Sequence, residues 1–169
     1  FIKYIADPED KLPTITMWLM GSLANVSYRD VLLCAAIEIP CLAVAMILRW
    51  KMNLLSLDHE EARSLGINVK KLWLSVILIA TLMTAVTVSV CGIIGWIGLV
   101  IPHIARLLIG NDHRTLIPAS ALMGAIYLLL IDTAARAATA GEVPLSILTA
   151  MVGAPFFAVI LRKTSGGRE

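Results

Sequence analysis

Long stretches without a charged side chain restrict the fold of this chain more than any other feature. Residues 72–102, 115–131 and 143–161 contain no Asp, Glu, Lys or Arg, and residues 31–48 contain only Glu38. Roughly 18–20 apolar residues are enough for a helix to cross the hydrocarbon core of a bilayer. A water-soluble fold could not hide so many stretches of this length, and exposing them would cause aggregation. The pattern therefore predicts transmembrane helices.

The composition agrees with that prediction. The chain is 59% hydrophobic and 15% charged, whereas a soluble domain carries about 25% charged residues. We predict an all-α, polytopic helical membrane protein with about five spans, a short interfacial helix and short cytoplasmic helices in a polar loop. The predicted segments are the interfacial helix 14–24, spans near 31–50 and 72–91, a shorter span ending near Leu108, and spans near 116–131 and 145–161.

The uncharged stretch 72–102 is too long for one perpendicular crossing, since a single helix of this length would measure about 46 Å. We predict an interruption and then a shorter span, marked by Gly92, Gly95, Gly98 and Pro102. Interrupted spans occur where protein or a water-filled cavity satisfies the backbone, and they often mark a transport path. Close helix packing through small residues is the alternative explanation of the glycines, and the two are compatible.

Residues 55–73 form a charged island between two apolar spans. Asp58, with Glu61 three residues later, has the pattern of a capping box at the start of a helix, and Gly66 can end that helix in the left-handed conformation. Asn68 can cap a second helix that enters the next span. Two short helices on one membrane face predict a rigid docking element for a partner protein. An ordered surface turn without a partner is the alternative.

The distribution of positive charge places this island in the cytoplasm. With alternating spans, ten of the 14 Lys and Arg residues then lie on the island's side of the membrane, as the positive-inside rule expects. The four on the other side are Lys3, Lys11, Arg29 and Arg136. The C-terminus is then cytoplasmic as well. The chain begins with Phe1 inside an apolar run, which predicts a piece of a longer protein.

Glu38, Asp132 and Arg136 are candidate functional residues among the charged residues in or beside the spans. A carboxyl group within a span faces a bundle interior or a cavity, so Glu38 is a candidate proton or cation site. A hydrogen-bonded structural acid beside a kink at Pro40 is the alternative. Asp132 and Arg136 have i, i+4 spacing, which predicts an ion pair on one helix.

No pattern in the sequence indicates chemistry of its own. The chain lacks the Gly-rich phosphate-binding loop of ATP-binding proteins and the H-E-x-x-H and G-x-S-x-G patterns of hydrolases. Its three cysteines lie in apolar segments without metal-ligand spacing, and we interpret them as small core residues. We therefore expect a protein that is not an enzyme, with no cofactor, no metal site and no nucleic-acid partner.

Five motifs together resemble a known family. They are GIIGWIGLVIPHIARLLIGNDHRTLIPASALMGA (92–125), LDHEEARSLGINV (57–69), WLMGSL (18–23), DTAAR (132–136) and EVPLSILTAMVGAPFF (142–157). Their sequences, order and approximate spacing resemble the FecCD family of ABC-importer permeases, which includes the vitamin B12 and ferric-siderophore permeases. The resemblance covers nearly the whole chain but only the C-terminal half of a family member.

The resemblance implies that residues 1–169 are a single transmembrane permease domain whose N-terminal spans are absent here. The implied function is the permease subunit of an ABC importer for metal chelates, such as ferric siderophores, haem or cobalamin, or in some members molybdate-type oxyanions. The implied partners are a second permease copy (identical or a close paralogue), two ATP-binding cassette subunits, and a periplasmic or lipid-anchored substrate-binding protein. The implied location is the inner cell membrane, within membrane lipid. ATP hydrolysis would belong to the partner subunits.

The resemblance also implies site residues. The island resembles the family's cytoplasmic coupling helices, which sit in a cleft of the ATPase, and the matching residues are Asp58, Glu60, Glu61, Arg63, Ser64 and Gly66. Arg136 matches a family arginine on the outer face that can pair with an acidic residue of the binding protein. The assignment of Gly92, Gly95, Gly98 and Pro102 to a translocation path comes from the predicted interruption and not from the family.

Two other classes of function fit the same sequence. An ion-coupled secondary transporter would use Glu38 as its proton or ion site and would need no ATP. A membrane scaffold without transport activity would use the island to recruit a cytosolic protein. The three classes differ in what drives transport. The importer uses ATP, the secondary transporter uses an ion gradient, and the scaffold binds its partner without any flux.

Overall fold

The computed structural model describes residues 11–24, 26–56, 68–138 and 143–165, and every regular element in that part of the chain is a helix. The elements are α1 (Lys11–Met20), α2 (Tyr28–Met52), a 3₁₀ helix that follows it directly (Asn53–Ser56), α3 (Val69–Cys91), α4 (Ile97–Ile109), α5 (His113–Ala138) and α6 (Leu145–Ser165). The predicted all-α fold class is confirmed.

Among the described residues, three helical stretches are long and apolar enough to cross a membrane. They are Tyr28–Leu55, Val69–Cys91 and His113–Ala137, with 28, 23 and 25 residues. Helix α4 has 13 residues and measures about 20 Å, which is shorter than the hydrocarbon core of about 30 Å. Helix α6 is also apolar. These helices lie where the sequence predicts spans, and the predicted short span is α4.

Helix α2 begins with a capping box that the sequence analysis did not identify. The N–H of Asp30 donates to Ser27 Oγ (3.3 Å), and the N–H of Ser27 donates to Asp30 Oδ2 (2.9 Å). These bonds satisfy amide groups that the start of a helix otherwise leaves unpaired. The capped start makes α2 three residues longer at this end than the predicted span.

The surface of α2 is suited to lipid or to another membrane protein. None of its 25 residues is buried, and the side chains of Ile47 and Leu32 are 74% and 71% exposed. Each large aliphatic side chain left in water forgoes about 1.5–3 kcal/mol of burial free energy. A helix with this surface is therefore stable only where lipid or protein surrounds it.

The chain forms two compact units. The first comprises Phe1–Val26, Cys91–His103 and Gly124–Glu169, and it contains α1, the start of α4, the larger part of α5 and α6. The second comprises Ser27–Val90 and Ile104–Met123, and it contains α2, α3, the end of α4 and the start of α5. The single permease domain stays a prediction.

Candidate functional site

The first unit contains the interruption between α3 and α4, which we call the helix break (residues 92–96). Helix α3 ends at Cys91, and α4 begins at Ile97. Gly92 has φ +72° and Trp96 has φ +69°. Glycine adopts this left-handed conformation readily, whereas a bulky residue such as tryptophan rarely does. The surrounding contacts must therefore hold Trp96 in place.

The helix break is shorter than the sequence predicts, because Gly98 and Pro102 lie inside α4. The N–H groups of Leu99 and Val100 donate to the carbonyl of Trp96 at 3.1 Å and 2.9 Å, so helical bonding starts before Gly98. A proline inside a helix removes a single amide donor, here the one that would pair with the Gly98 carbonyl. That loss does not end α4.

The three glycines differ in their surroundings. A side chain at Gly92 would collide with the carbonyl of Trp18, whereas a Cβ at Gly95 or Gly98 would meet no atom within 4 Å. Close packing therefore explains Gly92 but does not explain the other two. At Gly95, the backbone of the helix break therefore lies beside open space, as far as the described residues show.

The end of α1 and the following turn hold the N-terminal side of the helix break. The N–H of Ser22 donates to the carbonyl of Cys91 (3.0 Å) and so satisfies one of the acceptors that the end of α3 leaves unpaired. Gly21 has φ +68°, and a Cβ there would lie 2.7 Å from the carbonyl oxygen of Ile93. The carbonyl of Gly21 accepts a bond from the N–H of Leu145 (3.1 Å).

Helix α6 holds the C-terminal side of the helix break. A Cβ at Gly153 would lie 2.6 Å from the Cβ of Trp96, so the tryptophan packs directly on glycine backbone. The ring of Phe157 meets the Trp96 ring edge to face, with centroids 6.3 Å apart. Such aromatic pairs contribute about 0.5–1.5 kcal/mol beyond their buried area. These contacts fix the strained conformation of Trp96.

Sequence analysis missed Gly21, Ser22, Trp96 and Gly153 as determinants of this site. Three of the family motifs, 18–23, 92–125 and 142–157, meet around the helix break. The glycines in these motifs indicate close packing, but a glycine in the sequence does not show which distant residue packs against it.

Arg136 lies near the end of α5 and is bound to Asp132. Its Nε donates to Asp132 Oδ2 at 2.8 Å, and the two side chains are 55% and 22% exposed. The predicted i, i+4 ion pair is confirmed. Docking of a binding protein at Arg136 stays a prediction.

The coupling residues implied by the family resemblance lie outside the described residues. They are Asp58, Glu60, Glu61, Arg63, Ser64 and Gly66. The predicted cap at Asn68, just after them, is confirmed, because Asn68 Oδ1 accepts a bond from the N–H of Lys71 (3.1 Å) at the start of α3. On the other side, the 3₁₀ helix Asn53–Ser56 leads into this segment.

The second unit contains a polar cluster that we call the clasp (Asn53, Asp112 and His113). Asn53 Nδ2 donates to Asp112 Oδ1 (2.6 Å), and Asn53 Oδ1 accepts from the N–H of His113 (2.8 Å) and from its ring Nδ1 (2.7 Å). The bond from Asn53, followed by the bond from the N–H of Arg114, lowers the pKa of the exposed Asp112 carboxyl. The clasp joins the end of α2 to the loop between α4 and α5.

Glu38 also bonds across two helices of the second unit. Its Oε1 lies 2.8 Å from Thr87 Oγ1 on α3, and the same hydroxyl lies 2.8 Å from the carbonyl of Met83. Glu38 therefore takes part in an interhelical hydrogen bond. Among the described residues, no group of three His, Cys, Asp or Glu side chains could hold a metal ion.

Comparison with known proteins gives consistent matches. Residues 1–163 match the FecCD transport family. The chain is 43% identical over 166 residues to the molybdate import system permease protein MolB of Haemophilus influenzae, and 39% identical over 164 residues to the hemin transport system permease protein HmuU of Yersinia pestis. These alignments cover 98% and 96% of this chain but 49% of each relative. The chain therefore spans about half the length of the curated relatives it matches.

The fold has a match among solved structures. A chain from an inward-facing structure described as a metal-chelate type ABC transporter superposes with a TM-score of 0.90 at 43% sequence identity. The match covers 96% of this chain and 53% of the solved one. At this identity, the likeness extends beyond the general fold to a related sequence.

Proposed function

The chain belongs to the FecCD transport family, and from that premise we propose that it is the C-terminal half of the permease subunit of an ABC importer for metal chelates or related cargo. The observation that carries the proposal is the match, over 96% of the chain, to a metal-chelate type ABC transporter. The helix break adds physical support, because interrupted spans occur where a cavity or protein satisfies the backbone.

The mechanism proposed for the complete protein is alternating access driven by a separate ATPase. ATP binding closes the two ATPase subunits, and the charged segment 57–67 follows that motion as the coupling element. The membrane helices of two permease copies then open the path to one side and close it to the other. The C-terminus lies in the cytoplasm, since that orientation places ten of 14 basic residues inside.

The helix break is the proposed contribution of this chain to the path. Gly92 is packed against α1, whereas Gly95 and Gly98 have open space on their Cα atoms. Backbone beside open space can be approached closely by a large cargo. It offers no charged ligand, which suits a path that passes cargo without holding it.

The cargo class follows from the relatives and not from a binding pocket of this chain. Relatives at 43% and 39% identity are named for molybdate and hemin, which differ greatly in size and charge. A half-permease that is similar to both is suited to a role in which a separate binding protein supplies most of the specificity. The proposed cargo is therefore a metal chelate, haem, cobalamin or an oxyanion.

The coupling role is tested by cross-linking in membranes that contain the complete permease and its ATPase. A single cysteine replaces Ser64 in a version without Cys34, Cys41 and Cys91, and we expect a cross-link to the ATPase that changes with ATP. Tyr28→Cys is the matched control, because Tyr28 is 92% exposed at the other end of α2. Equal cross-linking at both positions, or none at Ser64 with an accessible thiol, contradicts the proposal.

The same preparation separates the importer from its rival. An ion-coupled transporter that uses Glu38 loses all uptake on Glu38→Gln and needs an ion gradient. In the proposed importer, Gln at this position still bonds to Thr87, so ATP-driven uptake continues. Uptake that requires an ion gradient and is abolished by Glu38→Gln would replace the proposal with the rival.

Docking of the binding protein is proposed for the exposed Arg136. Reversal of charge in Arg136→Glu should weaken binding roughly tenfold at low salt and much less at 1 M salt, where the Debye length is about 3 Å. Arg29→Glu is the matched control, since Arg29 is also exposed and predicted on the outer face. Titration of the binding protein onto the permease in nanodiscs measures both. An unchanged affinity for Arg136→Glu at every salt concentration argues against this site.

A further inference from the structure

Asn53 occupies a particular place in the chain. It is the residue at which α2 ends and the 3₁₀ helix Asn53–Ser56 begins. Four residues further on, the segment 57–67 begins, which is the coupling element in the proposed function. The side chain of Asn53 bonds to the loop between α4 and α5, about 60 residues away along the chain.

The hydrogen bonds specify asparagine chemically. The backbone N–H of His113 can only donate, and it meets Asn53 Oδ1 at 2.8 Å. The ionised carboxylate of Asp112 can only accept, and it meets Asn53 Nδ2 at 2.6 Å. The amide therefore has one possible orientation, and the ring Nδ1 of His113 must carry a proton to donate at 2.7 Å. Neither aspartate nor leucine at position 53 could make this set of bonds.

The clasp is additional to the capping of α5. Asp112 already caps that helix, because its Oδ1 accepts the N–H of Arg114 (2.9 Å) and its carbonyl accepts the N–H of Leu116 (2.9 Å). The start of α5 therefore does not require Asn53. What Asn53 adds is a link between two parts of the second unit that are distant in sequence.

Two further contacts strengthen the same link. Arg49 Nη1, one turn earlier on α2, donates to the carbonyl of Arg114 at 3.2 Å. The guanidinium of Arg114 lies 5.9 Å from the centroid of the Trp50 ring, within the range of a cation–π interaction. The end of α2 thus contacts the start of α5 at three successive points.

We propose that the clasp transmits the motion of the coupling segment 57–67 to the start of α5, with Asn53 as a positioning residue for transport. This inference rests on the proposed function. The clasp residues Asp112 and His113 are the cap and the first residue of α5, a helix long and apolar enough to cross a membrane. A displacement of the end of α2 therefore reaches the start of this helix through the bonds of Asn53.

The test compares two asparagines that flank the coupling segment. Asn53→Ala removes the clasp bonds to Asp112 and His113, whereas Asn68→Ala removes a cap at the start of α3. Both are made in the complete permease, reconstituted in liposomes with its ATPase and binding protein. The measured quantity is cargo taken up per ATP hydrolysed, together with the Ser64 cross-link to the ATPase.

For Asn53→Ala we expect uptake per ATP to fall about fivefold to tenfold, as for loss of a residue that couples two sites, while the cross-link and ATP hydrolysis persist. For Asn68→Ala we expect a ratio within about twofold of the unsubstituted protein, because a single cap contributes little. An unchanged ratio for Asn53→Ala overturns the inference. An equal fall for Asn68→Ala overturns it as well, since any change beside the segment would then have the same effect.

A reciprocal exchange keeps the test valid if Asn53→Ala does not accumulate in the membrane. Asn53→Asp alone puts two carboxylates together and should uncouple transport. Combination with Asp112→Asn restores a donor and acceptor pair and should recover most of the ratio. Failure of the exchange to recover the ratio, with protein levels restored, counts against the clasp. If the unsubstituted protein gives neither the cross-link nor ATP-driven uptake, the proposed function fails instead.

Discussion

The helix break and the clasp are held together by opposite means. The break depends on the absence of side chains: Gly92 packs on the Trp18 carbonyl, and Gly153 packs on Trp96. The clasp depends on the presence of particular donors and acceptors on exposed or half-buried side chains. Steric contact in a packed site tolerates almost no added atom. An exposed hydrogen bond contributes little to stability, but it forms only between a suitable donor and a suitable acceptor.

This contrast predicts two kinds of mutational effect. Substitutions around the helix break should lower the stability of the protein, and function should fall with it. Substitutions in the clasp should leave most of the stability and change how motion is passed on. The following experiments test that division, beginning with the largest expected effect.

Gly92→Ala should cause the largest loss, more than about 3 kcal/mol of stability. The added Cβ collides with the Trp18 carbonyl, and the left-handed backbone costs an alanine about 1–2 kcal/mol. Gly98→Ala is the matched control, since its Cβ meets nothing and alanine favours a helix by up to about 1 kcal/mol. The apparent unfolding temperature of the complete permease in detergent measures both, and equal temperatures would show that the break is not sterically held.

Gly153→Ala should have a smaller effect, about 1–3 kcal/mol, because its added Cβ meets side-chain atoms of Trp96, whereas the Cβ at Gly92 meets a backbone carbonyl and a left-handed backbone. Combining it with Trp96→Gly removes both the collision and the left-handed strain. The double variant should then lose less stability than the sum of the single losses. Gly124→Ala is the control, since its Cβ would lie at an ordinary 3.9 Å from Ile101. Strict additivity of the two changes would contradict direct contact between Trp96 and α6.

The pH dependence of the clasp should be the smallest effect. The bond from Asn53 makes the largest contribution to the lowered pKa of Asp112, so the ionised carboxylate is favoured in the folded state. Its stabilisation is present above the ordinary carboxyl pKa of about 3.9 and disappears as pH falls through the lower folded-state value. The difference in unfolding temperature between the unsubstituted protein and Asp112→Asn should stay constant from pH 8 to 5 and shrink only in more acidic solution.

Asn53→Ala provides the control for that measurement. Without the Asn53 donor, the pKa of Asp112 should move back towards its ordinary value, so the loss should be smaller and should be complete at a higher pH. If Asp112→Asn changes the unfolding temperature with the same pH profile in the presence and in the absence of Asn53→Ala, Asn53 does not bond to the ionised carboxylate.

Local features were predictable from the sequence. The uncharged stretches correspond to helices, Asn68 caps α3, and Asp132 pairs with Arg136. Each of these depends on residues within four positions of one another or on the composition of a single segment. The capping box of Ser27 and Asp30 was equally local and could have been found, because a serine followed three residues later by an acid is a known helix start.

The sequence by itself determined that this is a helical membrane protein with an interrupted helix, since hydrophobicity and glycine act within one segment. Tertiary structure alone decided where the interruption ends, because Trp96 is fixed by Gly153 and Phe157 on another helix. It alone also placed Asn53 against Asp112 and His113. Such contacts join residues about 60 positions apart, and no periodicity or spacing along the chain encodes which distant backbone will approach.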